Sequence, residues 1–228
     1  MSDAPESARD AILGRVAGAL GREPRPSVVG ERPAAVAERL AGRRRHTLPR
    51  VGADLTAELV RNMEGVQMSV VRLQRTAEVP AAVAFWLDAE GLDGDVTVAP
   101  AIGALDWPDG ADERGRVWRR GAASGTEATG VTPCLAAVAE TGSVALASGA
   151  ATPAALNFLP ENHVVVVRAA DIVAHVEDAF ERVRALDVLP RALNFVTGPS
   201  RTADIEQTIE IGAHGPRRMH VLIVEGDG

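Results

Sequence analysis

The chain has 228 residues, 46% hydrophobic and 24% charged, which is enough apolar material for one sizeable domain with an appendage, or two small ones, and excludes wholesale disorder. All 24 basic residues are arginine, so Schiff-base catalysis, lysine-bound pyridoxal phosphate and the lysine-dependent phosphate loop are excluded, while bidentate clamping of carboxylates and phosphates stays open. The net charge of −7 argues against nucleic acid as main partner, and one cysteine, Cys134, allows no internal disulfide and cannot alone hold an iron–sulfur cluster, which takes about four thiolates.

The N-terminal MSDAPESARD lacks the basic-then-apolar layout of a secretory signal, and no apolar run approaches the ~20 residues of a membrane span, so a cytoplasmic protein is expected. Helical spacing follows over Ala8 to Leu20, with Ile12, Val16 and Leu20 on one face, and over Ala34 to Leu40. The intervening GREPRPSVVGERP is too rich in Pro, Gly and Arg to pack continuously, so residues 1–50 read as a helical, Pro/Arg-rich arm and residues 51–228 as the α/β body. The charge divides along the same line: ten Arg against six Asp/Glu in the arm, fourteen against twenty-five in the body. The run Arg43-Arg44-Arg45-His46 reads as solvated linker, with RNA or an acidic partner face as the alternative.

A helix over Leu55–Met63 leads into the body. Strands are then expected at Val66–Leu73, Asp95–Ala99, Val117–Arg119, Ser143–Ala147, His163–Val167, Leu193–Thr197 and Met219–Val224. Helices are expected at Val79–Glu90, Ile172–Leu186 and Thr202–Ile211, with a short one at Thr132–Val138. Runs such as VVVV and HVLIV are apolar on both faces, which suits a sheet covered by helices on both sides, and the strand–helix–strand alternation predicts a mainly parallel, doubly wound sheet. Ligands in such sheets sit outside the carboxyl ends of the strands, so the loops leaving strands are where chemistry is sought.

Three segments carry candidate chemistry. Glu140-Thr141-Gly142-Ser143 follows the apolar stretch LAAVA, where a carboxylate is costly unless it meets a donor or a cation. Thr141, Gly142 and Ser143 offer N–H groups and hydroxyls that suit an oxyanion, or they form an ordinary turn beside a solvent-facing Glu140. Next, Gly198 gives the chain a sharp exit from LNFV, and Ser200 or Thr202 can cap a following helix whose N-terminus, joined by Arg201, favours an anion. Asp204 and Glu206 in that first turn can instead neutralise the dipole internally. Lastly, His214 beside Gly215, with Arg217 and Arg218 adjacent, can serve as acid/base, as a donor to a carboxylate, or as part of the turn alone.

Other patterns fail. The five histidines form no HxxxH and there is no CxxC, which argues against a dedicated zinc or iron site. GxGxxG is missing, and Gly198-x-Ser200 lacks the second glycine of a nucleophile elbow. Cys134 reads as a buried small hydrophobe.

The order AETGSVALAS, LPENHVVVV, GPSRTADIEQTIEIGAHGP over roughly residues 64–225 resembles the LUD-domain family, and within it the lactate-utilisation protein C group. That resemblance implies a fold like the ribose-phosphate isomerase, glucosamine-phosphate deaminase and CoA-transferase group. It also implies a role in bacterial oxidation of L-lactate to pyruvate beside two partner proteins that carry iron–sulfur centres, with no cofactor on this chain. The motif positions it carries over are Glu140, Thr141 and Gly142; Gly198, Ser200, Arg201, Thr202, Asp204 and Glu206; His214 and Gly215. Ser143 departs mildly, since threonine is common there. The leading expectation is a non-redox or accessory subunit that binds a small carboxylate or phosphate-bearing ligand, with a homodimer plausible. Its rivals are a stand-alone CoA-transferase-like or hydrolase-like enzyme with Glu140 as nucleophile, and an interaction scaffold without chemistry.

Overall fold

The computed structural model describes residues 8–21, 34–42, 45, 47–205, 208–211 and 215–226. The chain divides into two compact units, Met1–His46 and Thr47–Gly228. In the first, α1 (Ala8–Ala19) and α2 (Ala34–Gly42) are helical, and Ile12, Leu13, Val16 and Leu20 are exposed. Among the described residues no helix is long and apolar enough to cross a membrane.

The second unit begins with α3 (Leu55–Gly65), started by the Asp54 carboxylate, which accepts the Ala57 N–H at 3.0 Å. It continues through β1 (Ser69–Leu73), α4 (Val79–Ala89), β2 (Val96–Val98), β3 (Gly110–Ala111), β4 (Val117–Arg120), β5 (Thr129–Pro133), β6 (Ala136–Val138) and β7 (Ser143–Ala147). Then come β8 (Asn162–Arg168), β9 (Ile172–Val173), α5 (Val176–Arg184), β10 (Leu193–Val196), β11 (Arg201–Ile205), β12 (Thr208–Ile211) and β13 (Arg218–Val224).

Seven strands form one sheet in the order β1-β13-β8-β5-β2-β4-β3, parallel throughout except for β3 against β4. Its middle is the pair β8 and β13, whose Val164–Val167 and Val221–Val224 are all buried, each such side chain contributing on the order of 1.5–3 kcal/mol. Apolarity on both faces is what the central position demands. On one face α4 packs Val79, Val83, Trp86 and Leu87 against Val164, Val166, Leu222 and Val224.

The opposite face departs from the expected helical cover. There α3, through Leu59 and Met63, shares the core with a second sheet, which contributes Ala137, Val144, Leu146 and Ile172. This sheet has four strands in the order β10-β7-β6-β9, and only β6 with β9 is parallel. Helix α5 closes its far side, Ala179 joining Ala136, Val138, Ala145 and Val173. The layers are therefore helix, parallel sheet, helix with small sheet, and helix.

Two expected helices are strands. Thr132–Val138 is split between β5 and β6, because its small apolar residues hide any period while both strands need apolar residues on both sides. Thr202–Ile211 is instead the antiparallel hairpin β11/β12, with Arg201 opposite Ile211 and Ile205 opposite Thr208. Its β-branched residues at 202, 205, 208, 209 and 211 favour an extended chain over a helix. The stretch from 66 also starts late, since α3 and its cap run to Val66 before β1 opens at Ser69.

Candidate functional site

With no helix after Gly198, the anion site expected on its N-terminus does not exist in that form. The arginines gather elsewhere, where α3 turns into β1. The Gln67 N–H donates to the Glu64 carbonyl at 3.0 Å, and the Met68 N–H reaches back to the Met63 carbonyl at 3.0 Å. These two bonds make a Schellman end, and Gln67 occupies its left-handed position at φ 65°, where glycine is usual. Among the described residues it is the one non-glycine with positive φ. Its side-chain carbonyl accepts a hydrogen bond from the Arg201 guanidinium. Backbone strain of this kind costs on the order of 1 kcal/mol.

Gln67 and Arg201 stand on the wall of a cavity of about 220 Å³, together with Ser69, Trp86, Glu90, Arg217 and Arg218. Three guanidiniums against one carboxylate leave an excess of positive charge suited to a small anion. The cavity opens at the amino ends of β1 and β13, since Ser69 and Arg218 are the first residues of those parallel strands. That is the end opposite to the one the general rule for parallel sheets favours. The carboxyl end of β5 holds a separate, mostly apolar cavity.

Beneath the arginines, Ser69 Oγ lies 2.7 Å from His220 Nδ1, and the His220 ring stacks on Trp86 with centroids 4.7 Å apart and planes 4° from parallel. Burial pushes the His220 imidazole down to about 4, so it is neutral near pH 7. Its Nε2 has no hydrogen-bond partner among the described residues. A neutral ring whose Nδ1 lies this close holds the Ser69 hydroxyl in place. His163, in the second position of β8, is equally buried; its Nε2 is 2.8 Å from Thr132 Oγ1, and burial pushes it down to about 3.

The turn before β7 proves to be a joint. Glu140 is directed at α5: Oε1 accepts the Val176 N–H at 2.9 Å and Oε2 pairs with His175 Nδ1 at 2.8 Å. The carboxylate thus meets both the dipole and the first free donor of that helix, and the solvent-facing alternative is ruled out because the side chain is only 10% exposed. His175 escaped sequence reading, although its place before VEDAFERVR, with Asp178 accepting the His175 N–H at 3.0 Å, is a legible helix start. Thr141 Oγ1, Ser143 Oγ and Thr197 Oγ1 form a hydroxyl chain with spacings of 2.7 and 2.6 Å.

Gly142 (φ 68°) and Gly198 (φ 98°) let backbone pack against α3. A Cβ would come within 2.7 Å of Asn62 C and Met63 N at the former, and within 2.7 Å of Val66 O at the latter. Ser200 sits beside Gly215, its N–H bonded to the Pro216 carbonyl at 2.8 Å. Glu206 and His214 lie outside the described residues, and of Thr202 and Asp204 only the strand backbone is described. The structure therefore brings Arg201 to the cavity with Arg217 and Arg218, and gives Glu140 a different task. No group of three or more potential metal ligands occurs among the described residues.

The LUD domain profile matches residues 56–224. Lactate utilization protein C of Bacillus licheniformis is 33% identical over 131 residues, which is 52% of this chain and 53% of that protein. The protein of the same name from Deinococcus radiodurans is 39% identical over 95 residues, 41% and 45% of the two chains. The aligned stretches thus span about half the length of these curated relatives, or less. Among solved structures, a DUF162 family protein from Deinococcus radiodurans superposes with a TM-score of 0.59 at 28% identity, covering 77% of this chain and 99% of that one.

Proposed function

For a chain that belongs to the LUD-domain family, and to its lactate-utilisation protein C group, we propose a cytoplasmic role in lactate utilisation: it binds a small carboxylate in the arginine-lined cavity. In this reading it is the non-redox member of an assembly that oxidises L-lactate to pyruvate, and the iron–sulfur clusters belong to partner proteins. The observation that carries the reading is the convergence of Arg201, Arg217 and Arg218 on a cavity of about 220 Å³, a size that suits a small organic acid and not a dinucleotide. A single cysteine, Cys134, agrees with a chain that carries no cluster. Kinship with the ribose-phosphate isomerase, glucosamine-phosphate deaminase and CoA-transferase group is part of the same proposal, supported by the mainly parallel sheet. The rival with Glu140 as nucleophile gains nothing from the geometry, since both carboxylate oxygens are engaged by α5 and its cap.

Calorimetric titration with L-lactate, pyruvate and inorganic phosphate tests the binding. One of them should saturate the site, and Arg218→Ala should weaken it by about 1.5–3 kcal/mol, the worth of a charged hydrogen bond. The cellular role is tested by deleting the gene. Normal growth on L-lactate, in a strain with no paralogue, would count against it.

A further inference from the structure

We propose that the cavity at the carboxyl end of β5 is a second binding site, for an aliphatic carboxylate of medium length. Its volume is about 490 Å³, within the range of small-molecule sites and more than twice that of the arginine cavity. It lies where ligands of parallel sheets usually bind, outside the strand that ends at Pro133. The lining is apolar, from Leu135, Ala147, Leu186, Val188, Leu189 and Pro190.

Leu189 is 67% exposed and Val188 is 81% exposed, an apolar rim left in water with nothing to cover it among the described residues. Uncovered apolar rims over a concave apolar wall favour a ligand with a hydrocarbon body. The cavity's one charged lining residue is Arg191, exposed and without an ion-pair partner among the described residues. That cation fixes the sign of the ligand's polar end.

The walls are pre-formed. Ser148 and Ala192 are joined by two bonds, Ser148 N–H to the Ala192 carbonyl at 2.9 Å and Ala192 N–H to Ser148 Oγ at 2.8 Å, which tie the rim loop to the end of β7. Thr152 Oγ1 donates to the Ala147 carbonyl at 2.7 Å and holds the other side. Cys134 lies in the same wall, and burial, assisted by the Asp171 carboxylate, pushes its thiol up to about 12. It lines the cavity as a neutral thiol and offers no thiolate for covalent chemistry.

Calorimetric titration of the full chain with sodium octanoate tests the site, with acetate and octylammonium as controls for the hydrocarbon and for the charge. Octanoate should bind saturably and both controls at least about tenfold more weakly. Arg191→Ala should weaken octanoate about tenfold. Leu189→Glu, at a position exposed enough to accept it, should weaken octanoate by more than that, and Leu189→Gln by less, because only the first adds repulsion. No saturable octanoate binding overturns the proposal, as does octylammonium binding equally well. Arg218→Ala separates the two sites: if it abolishes octanoate binding, octanoate occupies the arginine cavity and the proposal fails, whatever becomes of the reading for lactate.

Discussion

The two ends of the seven-stranded sheet differ in what they present to solvent. At the amino ends of β1 and β13, three arginines, a serine and Trp86, whose ring stacks on His220, border a small polar hollow. At the carboxyl end of β5 a larger hollow is lined by aliphatic side chains with Arg191 at its edge. The amino end is held by close backbone fits against the last turn of α3, whereas the carboxyl end is held by loop-to-strand hydrogen bonds in which the Ser148 and Thr152 hydroxyls take part. Position relative to the strands is thus a poor guide here to where charge collects, because the hairpin β11/β12 delivers Arg201 to the end that the general rule disfavours.

The comparison is broken most severely by adding one methyl group. Gly142→Ala places a Cβ 2.7 Å from two backbone atoms of α3, at a positive φ that alanine resists, and should cost about 3–5 kcal/mol of stability. A urea midpoint close to wild type would show that the fit at α3 has slack.

Acid should act on the same end. His163 and His220 lie near the amino ends of β8 and β13, and burial lowers both from the ordinary 6.5, to about 3 and about 4. The unfolded chain therefore binds protons first as pH falls below about 6.5, and stability drops by about 1.4 kcal/mol per pH unit for each histidine until the folded value is reached. Stability is fully present above 6.5. His220→Phe keeps the stacking on Trp86 and should reduce the slope between pH 6 and 5 by about one proton, measured as urea midpoints against pH. An unchanged slope would mean that carboxylates, not this histidine, govern the acid limb.

The parts of the fold legible in the sequence were those whose composition has one physical meaning. VVVV and MHVLIV cannot face water on either side, so β8 and β13 were evident, and so was α4. The segment from 132 to 138 was opaque because Ala, Val, Leu and Cys in a row have no polar side to reveal a period. The stretch from 201 to 211 was misread because Ser200 and Thr202 followed by acidic residues imitate a helix start, while the β-branched residues after them speak for strands. Of the site, Arg201 was singled out for a helix N-terminus that the structure replaces with a strand, and its planar charge is what the proposed binding rests on. Arg217 and Arg218 were noticed only as neighbours of His214. Gln67 and His220 gave no local signal, since their importance arises from pairings across 134 and 151 residues.

A middle-sized effect concerns affinity and not folding. Arg201→Ala should weaken the small carboxylate by about 1.5–3 kcal/mol, and Arg201→Lys should restore only part, because a point charge cannot both accept direction from Gln67 and fork onto a carboxylate. Equal affinity of the lysine variant, by calorimetry, would reduce the amino-end site to a diffuse positive patch.

The smallest effect is the sharpest, because its two readouts should move in opposite directions. Gln67 holds a left-handed position that glycine fills without strain, so Gln67→Gly should raise stability, by up to about 1 kcal/mol after the greater freedom of the unfolded glycine is subtracted. The same change removes the carbonyl that anchors the Arg201 guanidinium at the cavity wall. The arginine then gains rotamer freedom that a bound anion must take away again, and affinity should fall about three- to tenfold. Gln67→Asn, which tolerates positive φ but is one methylene shorter, should keep the backbone and lose most of the anchoring. If Gln67→Gly stabilises the fold and leaves carboxylate affinity unchanged, the strain at this turn serves no ligand, and Arg201 reaches its place by the hairpin alone.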